Sequence, residues 1–131
     1  MRNSKSTLLF QWFEEVWNQG RKSSIDELAT QDVIANGLGP EGQTRGIEEF
    51  KIFYDEFRKQ LKDVHVTVED VVSQDNIECA LCKITAIDVS SGKSVEFSGL
   101  CMARIENGKI AEAWNQYDFL KMYQQLGFSL K

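Results

Sequence analysis

Asp118 is the residue whose type and setting could do chemistry in this chain. It follows Trp114-Asn115-Gln116-Tyr117 and precedes Phe119-Leu120-Lys121-Met122-Tyr123. The first run reads as the end of a strand and the second as the start of a short helix, so Asp118 stands at their junction. A carboxylate there has two roles open to it. Enclosed by aromatic rings, its charged form is disfavoured and its pKa rises towards the range useful for proton transfer. Placed in water at a helix start, it accepts backbone N–H groups as an N-cap.

Other reactive side chains carry weaker signals. Cys79 and Cys82 form a C-x-x-C, and Cys101 stands alone. The surrounding pattern is a strand, where residues three apart point to opposite faces, which opposes a shared metal or a redox pair. An odd, low cysteine count is not a secreted disulfide framework. His65, the only histidine, falls on the polar side of Val64, Val66 and Val68 and is predicted to face solvent. No metal site and no cofactor are called for.

Asn107-Gly108 sets what Asp118 can meet. Asn-Gly is a strong type I′ hairpin signal, because both positions need positive φ. A two-residue loop pairs Glu106 with Lys109. An unbroken register then puts Cys101 opposite Trp114, Gly99 opposite Gln116 and Phe97 opposite Asp118. That face combines an acid, an amide and rings with the small residues Gly99, Cys101 and Ala103. It is predicted to line a concave pocket for a small hydrophobic ligand. Trp12, Trp17 and Tyr54 are candidate contributors from the helices, and Gln116 or Asn36 could orient a substrate oxygen. The opposite face carries Leu100, Met102 and Tyr117, joined by Leu81 and Ile87. Two partly apolar faces predict a homodimer through the sheet.

The positioning elements follow from periodicity. Leu9, Trp12, Phe13, Val16 and Trp17 make one face of a helix from about Lys5 to Asn18, ended by Gly20. Ser24-Ile25-Asp26-Glu27 reads as a capping box opening a second helix that ends near Thr30. A brief strand over 32–37 leads to a loop over 38–43, which holds the only proline, Pro40. Ile47, Phe50, Phe53, Tyr54, Phe57 and Leu61 give a third helix its stripe, with Glu48 and Glu49 in its first turn. From Val64 the period changes to two. Four strands follow, turned at 74–76, 90–92 and 107–108, with the last over 109–117. The expected fold class is α+β: helices packed on the concave face of a curved antiparallel sheet, closed by a short C-terminal helix.

The 131 residues fit a single domain spanning 1–131, and 42% hydrophobic content is enough for one core. Net charge is −5 and the short basic clusters sit among acids, so nucleic acid is not an expected partner. No apolar run approaches a membrane span, and the N-terminus lacks a signal-peptide pattern, so the expected location is cytoplasmic.

Several segments together carry a resemblance. They are Val16-Trp17-Asn18-Gln19-Gly20, Asp32-Val33, Gly46-Ile47 before a phenylalanine-rich helix, Gly108 to Trp114, and Asp118 with Gln125-Leu126-Gly127. Over nearly its whole length the chain resembles a SnoaL-like polyketide cyclase of the NTF2-like superfamily. The resemblance implies a cone-shaped α+β fold and a pocket. It also implies cofactor-independent acid/base chemistry of lyase, isomerase or hydrolase type on a hydrophobic ring-bearing substrate. Asp118 matches the acid that serves those cyclases as general acid/base. They also use a histidine on a neighbouring strand, and Gly99 to Ala103 contains none. The superfamily also includes non-catalytic binding and association modules, in which Asp118 would be only a cap.

Overall fold

The computed structural model describes residues 6–127. The first helix starts at Leu8, where Thr7 accepts the Phe10 N–H (3.2 Å) and the Glu78 carboxylate accepts the N–H groups of Leu8 (3.2 Å) and Leu9 (2.8 Å). Its predicted start, Lys5, lies outside the described residues. α1 (Leu8–Trp12) runs on as a π-helical segment, Phe13–Asn18. That segment is anchored at its end by Asn18, whose amide donates to the Val66 carbonyl (2.9 Å) and accepts the Val66 N–H (2.6 Å). A side chain here completes part of the sheet edge.

α2 (Ser23–Leu28) differs from the expected capping box. Ser24 lies inside the helix and is fully buried; its hydroxyl donates to Glu15 (2.7 Å) and accepts from Arg21 (2.8 Å). Glu27 pairs with Arg21. The Glu15–Arg21 pair of the preceding segment claims the serine that the capping motif would have used.

β1 (Ala29–Asn36) is longer than predicted and is followed by β2 (Gln43–Arg45). α3 (Ile47–Gln60) passes directly into β3 (Leu61–Gln74), and β4 (Ile77–Asp88), β5 (Ser94–Glu106), β6 (Lys109–Tyr117) and α4 (Phe119–Gln125) complete the chain. The six strands lie in the order β2-β1-β6-β5-β4-β3. The expected four-strand meander is present, and β1 extends it by running parallel to β6. Register shifts between Lys62 and His65, Val68 and Asp70, and Arg104 and Ile105 mark bulges. Bulges bend a sheet and increase its twist, which makes an inner face that helices can cover.

The core sits between that inner face and the helices. Trp12 meets Phe50 (5.4 Å between ring centroids), and Trp17 meets Tyr54 (4.9 Å) and Phe57 (5.4 Å). From the sheet come Ala80, Cys82, Ile84, Val95, Phe97, Cys101 and Ala103, all buried. Cys79 lies on the other face and His65 is exposed, as the strand period predicts. No metal-binding cluster of His, Cys, Asp or Glu occurs among the described residues. No described helix is long and apolar enough to cross a membrane.

Candidate functional site

The inner face of β5 and β6 is the floor of a cavity of about 70 Å³. Phe97 and Cys101 of β5 meet Ala113, Asn115 and Tyr117 of β6 there, and Trp12, Phe13 and Trp17 cover them. Phe50, Phe53 and Phe57 of α3, Leu38 and Phe119 complete much of the wall. No lining residue carries a charge.

The last strand is placed differently from the unbroken register. Glu106 pairs with Lys109 and Ile105 with Ile110, as the Asn107-Gly108 turn predicts, and Asn107 (φ 52°) and Gly108 (φ 77°) have the required backbone. A bulge follows. Arg104 pairs with Glu112, Met102 with Trp114, Cys101 with Asn115, Leu100 with Gln116 and Gly99 with Tyr117. Ala111 is the extra residue, and every later side chain of β6 changes face. The physical reason is Glu112. An unbroken register buries it opposite Ala103, and an unpaired buried carboxylate costs several kcal/mol, roughly. In the bulged register Glu112 turns outward, receives the Asn36 amide (2.9 Å) and lies 3.7 Å from Arg104.

Four predicted site residues line the cavity: Trp12, Trp17, Phe97 and Cys101. The other five do not. Trp114 stands on the outer face between Met102 and Asn36, and Gln116 is exposed opposite Leu100. Tyr54 is 3% exposed, but its hydroxyl donates to the Val16 carbonyl (2.8 Å) and its ring packs on Trp17. Desolvation holds its pKa above the usual phenol value. Asn36 donates to Glu112 and to the Ala113 carbonyl and accepts from Gln43 (2.7 Å), all within the sheet.

Asp118 is exposed and absent from the cavity wall. Its Oδ1 accepts the Lys121 N–H at 3.0 Å, the N-cap geometry of α4. The aromatic enclosure expected around it belongs to its neighbours instead. Phe119 packs on Phe97 (5.6 Å) and Tyr117 (5.9 Å).

Asn115 and Tyr117 are the site residues that the unbroken register placed on the outer face. Asn115 is 7% exposed, and its amide donates to the Asn36 carbonyl (3.1 Å). The Tyr117 hydroxyl donates to Asn115 Oδ1 at 3.3 Å. Burial pushes the Tyr117 phenol well above its usual pKa, with the neighbouring Cys101 thiol adding to the shift, so the phenol remains a proton donor. Burial likewise raises Cys101, and raises Cys82 to about 12, so neither is a ready thiolate. Gly99 makes room for the tyrosine. A Cβ there would lie 2.3 Å from Tyr117 Cδ1 and 2.5 Å from the Gln116 carbonyl oxygen. The sequence held one signal for this arrangement: the unbroken register would have buried Glu112.

Comparison with known proteins agrees with this fold. The family model for SnoaL-like polyketide cyclase matches residues 7–126. The chain belongs to that family. No functionally curated protein matches it. Among solved structures it is similar to IdmH of Streptomyces antibioticus, named as a candidate polyketide cyclase. The identity is 22%, with 96% of this chain and 100% of that one covered and a TM-score of 0.81. A candidate polyketide cyclase of Bacillus cereus ATCC 10987 is 26% identical over 92% of this chain and 78% of its own, with a TM-score of 0.80. A SnoaL-like structure from Jannaschia sp. CCS1 is 17% identical over 99% of both chains, with a TM-score of 0.84. The fold is therefore the NTF2-like α+β fold of these neighbours, an unclosed, curved six-stranded sheet with helices and a short C-terminal helix.

Proposed function

We propose that this SnoaL-like protein takes a neutral, hydrophobic, ring-bearing small molecule into the cavity between its helices and sheet. The observation that carries the reading is the lining. Rings and aliphatic side chains make most of it, Asn115 and Tyr117 add hydrogen-bonding groups, and no charged side chain is present. A charged ligand would lose its hydration there without gaining a counter-ion. The volume adds a second condition. A cavity of about 150 Å³ accommodates benzene, and this one is about 70 Å³. A ring therefore enters only as wall side chains move. The half-buried Leu38, Phe53, Phe57, Tyr117 and Phe119 are the ones least held by packing.

Acid/base chemistry on that ligand is the fuller form of the family reading, with Asp118 as proton carrier. It draws support from the family match and from the place of Asp118 next to Tyr117. The cap bond and solvent exposure do not favour it, so the proposal rests on binding. An Asp118→Asn variant separates the two, because binding survives while any turnover that depends on the carboxylate is lost.

The sheet's outer face supports a second copy of the chain as partner. Val72, Leu81, Leu100 and Met102 are exposed there, with Lys83, Glu96, Arg104 and Glu112 around them. An apolar strip flanked by both signs of charge is self-complementary across a two-fold axis. Light scattering on the wild type and on Leu100→Glu tests it; a wild-type monomer would remove the proposal.

For the pocket, the test is titration with naphthalene followed by tryptophan emission, since Trp12 and Trp17 both line the cavity. The expected result is saturable binding that Ala113→Leu abolishes by filling the floor. No saturable binding, or binding unchanged in Ala113→Leu, overturns the reading.

A further inference from the structure

We infer that the polar end of the cavity selects a ligand hydroxyl, held jointly by Tyr117 and Asn115. The inference rests on the pocket reading above and names the ligand group that the site prefers. Apart from the indole N–H groups of Trp12 and Trp17 and the Cys101 thiol, the polar side-chain atoms of the lining belong to these two residues.

Their present hydrogen bond is weak. The Tyr117 hydroxyl reaches Asn115 Oδ1 at 3.3 Å, whereas O–H···O bonds cluster near 2.7–2.8 Å, roughly. The Asn115 amide nitrogen is committed to the Asn36 carbonyl. Asn36 in turn is held by Glu112 and Gln43, so Asn115 is fixed from behind with its oxygen towards Tyr117. The phenol stays protonated, with the Cys101 thiol as its other polar neighbour, and can redirect its proton at the cost of the long bond to Asn115.

Three kinds of ligand then differ. A hydrocarbon leaves the 3.3 Å bond as it is and gains nothing at this end. An ether or ketone can accept the Tyr117 proton, but it leaves Asn115 Oδ1 buried without a donor, and stranding a buried acceptor is unfavourable. A hydroxyl accepts from Tyr117 and donates its own proton to Asn115 Oδ1, so both of these atoms keep a partner. The site therefore favours a neutral alcohol, phenol or enol on a hydrophobic ring. No bond to carbon is made or broken in this step, and Tyr117 and Asn115 act together as specificity-determining residues.

Three probes of one skeleton test this: 2-naphthol, 2-methoxynaphthalene and 2-methylnaphthalene, titrated by calorimetry into the full chain. The wild type is expected to bind 2-naphthol about tenfold more tightly than either of the others, the order of a stranded buried acceptor. Asn115→Leu is expected to remove the advantage of 2-naphthol over 2-methoxynaphthalene, because both can still accept the Tyr117 proton and no acceptor is left for the naphthol proton. Equal binding of all three by the wild type overturns the inference and leaves the pocket reading standing. A preference for 2-naphthol over 2-methoxynaphthalene that survives in Asn115→Leu also overturns it. Failure of every probe to bind overturns both. The wild-type comparison decides the matter even where the variant does not fold.

Discussion

The two faces of β5 and β6 are built from the same two strands, yet they have opposite properties. The inner face holds Phe97, Cys101, Ala103, Ala113 and Asn115, each 9% exposed or less. The outer face holds Leu100 and Met102, which are 49% and 38% exposed, with Trp114 beside them. Both faces are apolar. They differ because helices cover one, and nothing among the described residues covers the other. Hydrophobic character alone therefore does not locate a pocket. Concavity and a covering layer do, and both arise from the bulges and from the aromatic helices.

This contrast can be tested by matched substitutions. The largest effect is expected at Phe97, which is 2% exposed. Phe97→Ala should cost about 3–5 kcal/mol in urea unfolding. Leu100→Ala on the outer face should stay within about 0.5 kcal/mol for the monomer. Similar losses at both positions would erase the distinction between the faces.

Gly99 is the place where the inner face becomes crowded. Gly99→Val puts a Cβ against the Tyr117 ring and the Gln116 carbonyl oxygen. A loss of about 3 kcal/mol is expected, the upper part of the overpacking range, because backbone as well as side chain is hit. A near-neutral melting temperature would mean that β6 can move away from β5.

Alkali should act through the inner face. The phenols of Tyr54 and Tyr117 have folded pKa values above the unfolded value near 10, roughly. A raised acid favours the neutral form in the fold. Its stabilising contribution is fully present below the unfolded pKa and is lost as pH rises through the folded one. Tyr117→Phe should therefore move the alkaline unfolding midpoint upward, as read by far-UV circular dichroism. A midpoint unchanged in the variant would show that Tyr117 ionises without unfolding the chain.

The smallest effect concerns the junction between strand and helix. Asp118→Ala should cost about 1 kcal/mol through loss of the α4 cap, and Asp118→Asn only a few tenths, roughly. Equal losses in the two variants would point to the charge, not the cap bond, as the source of the effect.

Much of the fold was legible in the sequence because it rests on local periodicity and turn chemistry. The phenylalanine stripe of α3, the two-residue period of β3 and the Asn107-Gly108 turn each specify their own element. The site was half legible. Trp12, Trp17, Phe97 and Cys101 belong to segments whose inward face the apolar pattern shows directly. Asn115 and Tyr117 did not reveal themselves, because one extra residue at Ala111 exchanges the faces of β6. Ser24 misled as well, since the Glu15–Arg21 ion pair from the preceding turn took the hydroxyl that the local motif offered as a cap.

By itself, the sequence determined the α+β class, the order of the C-terminal hairpins and the presence of an aromatic cover. These follow from side-chain periods that a chain carries within itself. Only the tertiary structure decided which side of the last strand meets that cover. The cost of burying Glu112 and its attraction to Arg104 set that choice, and both depend on the neighbouring strand. Through that choice Tyr117 came into the cavity, Trp114 went to the outer face, and Asp118 was left in solvent as the cap of the final helix.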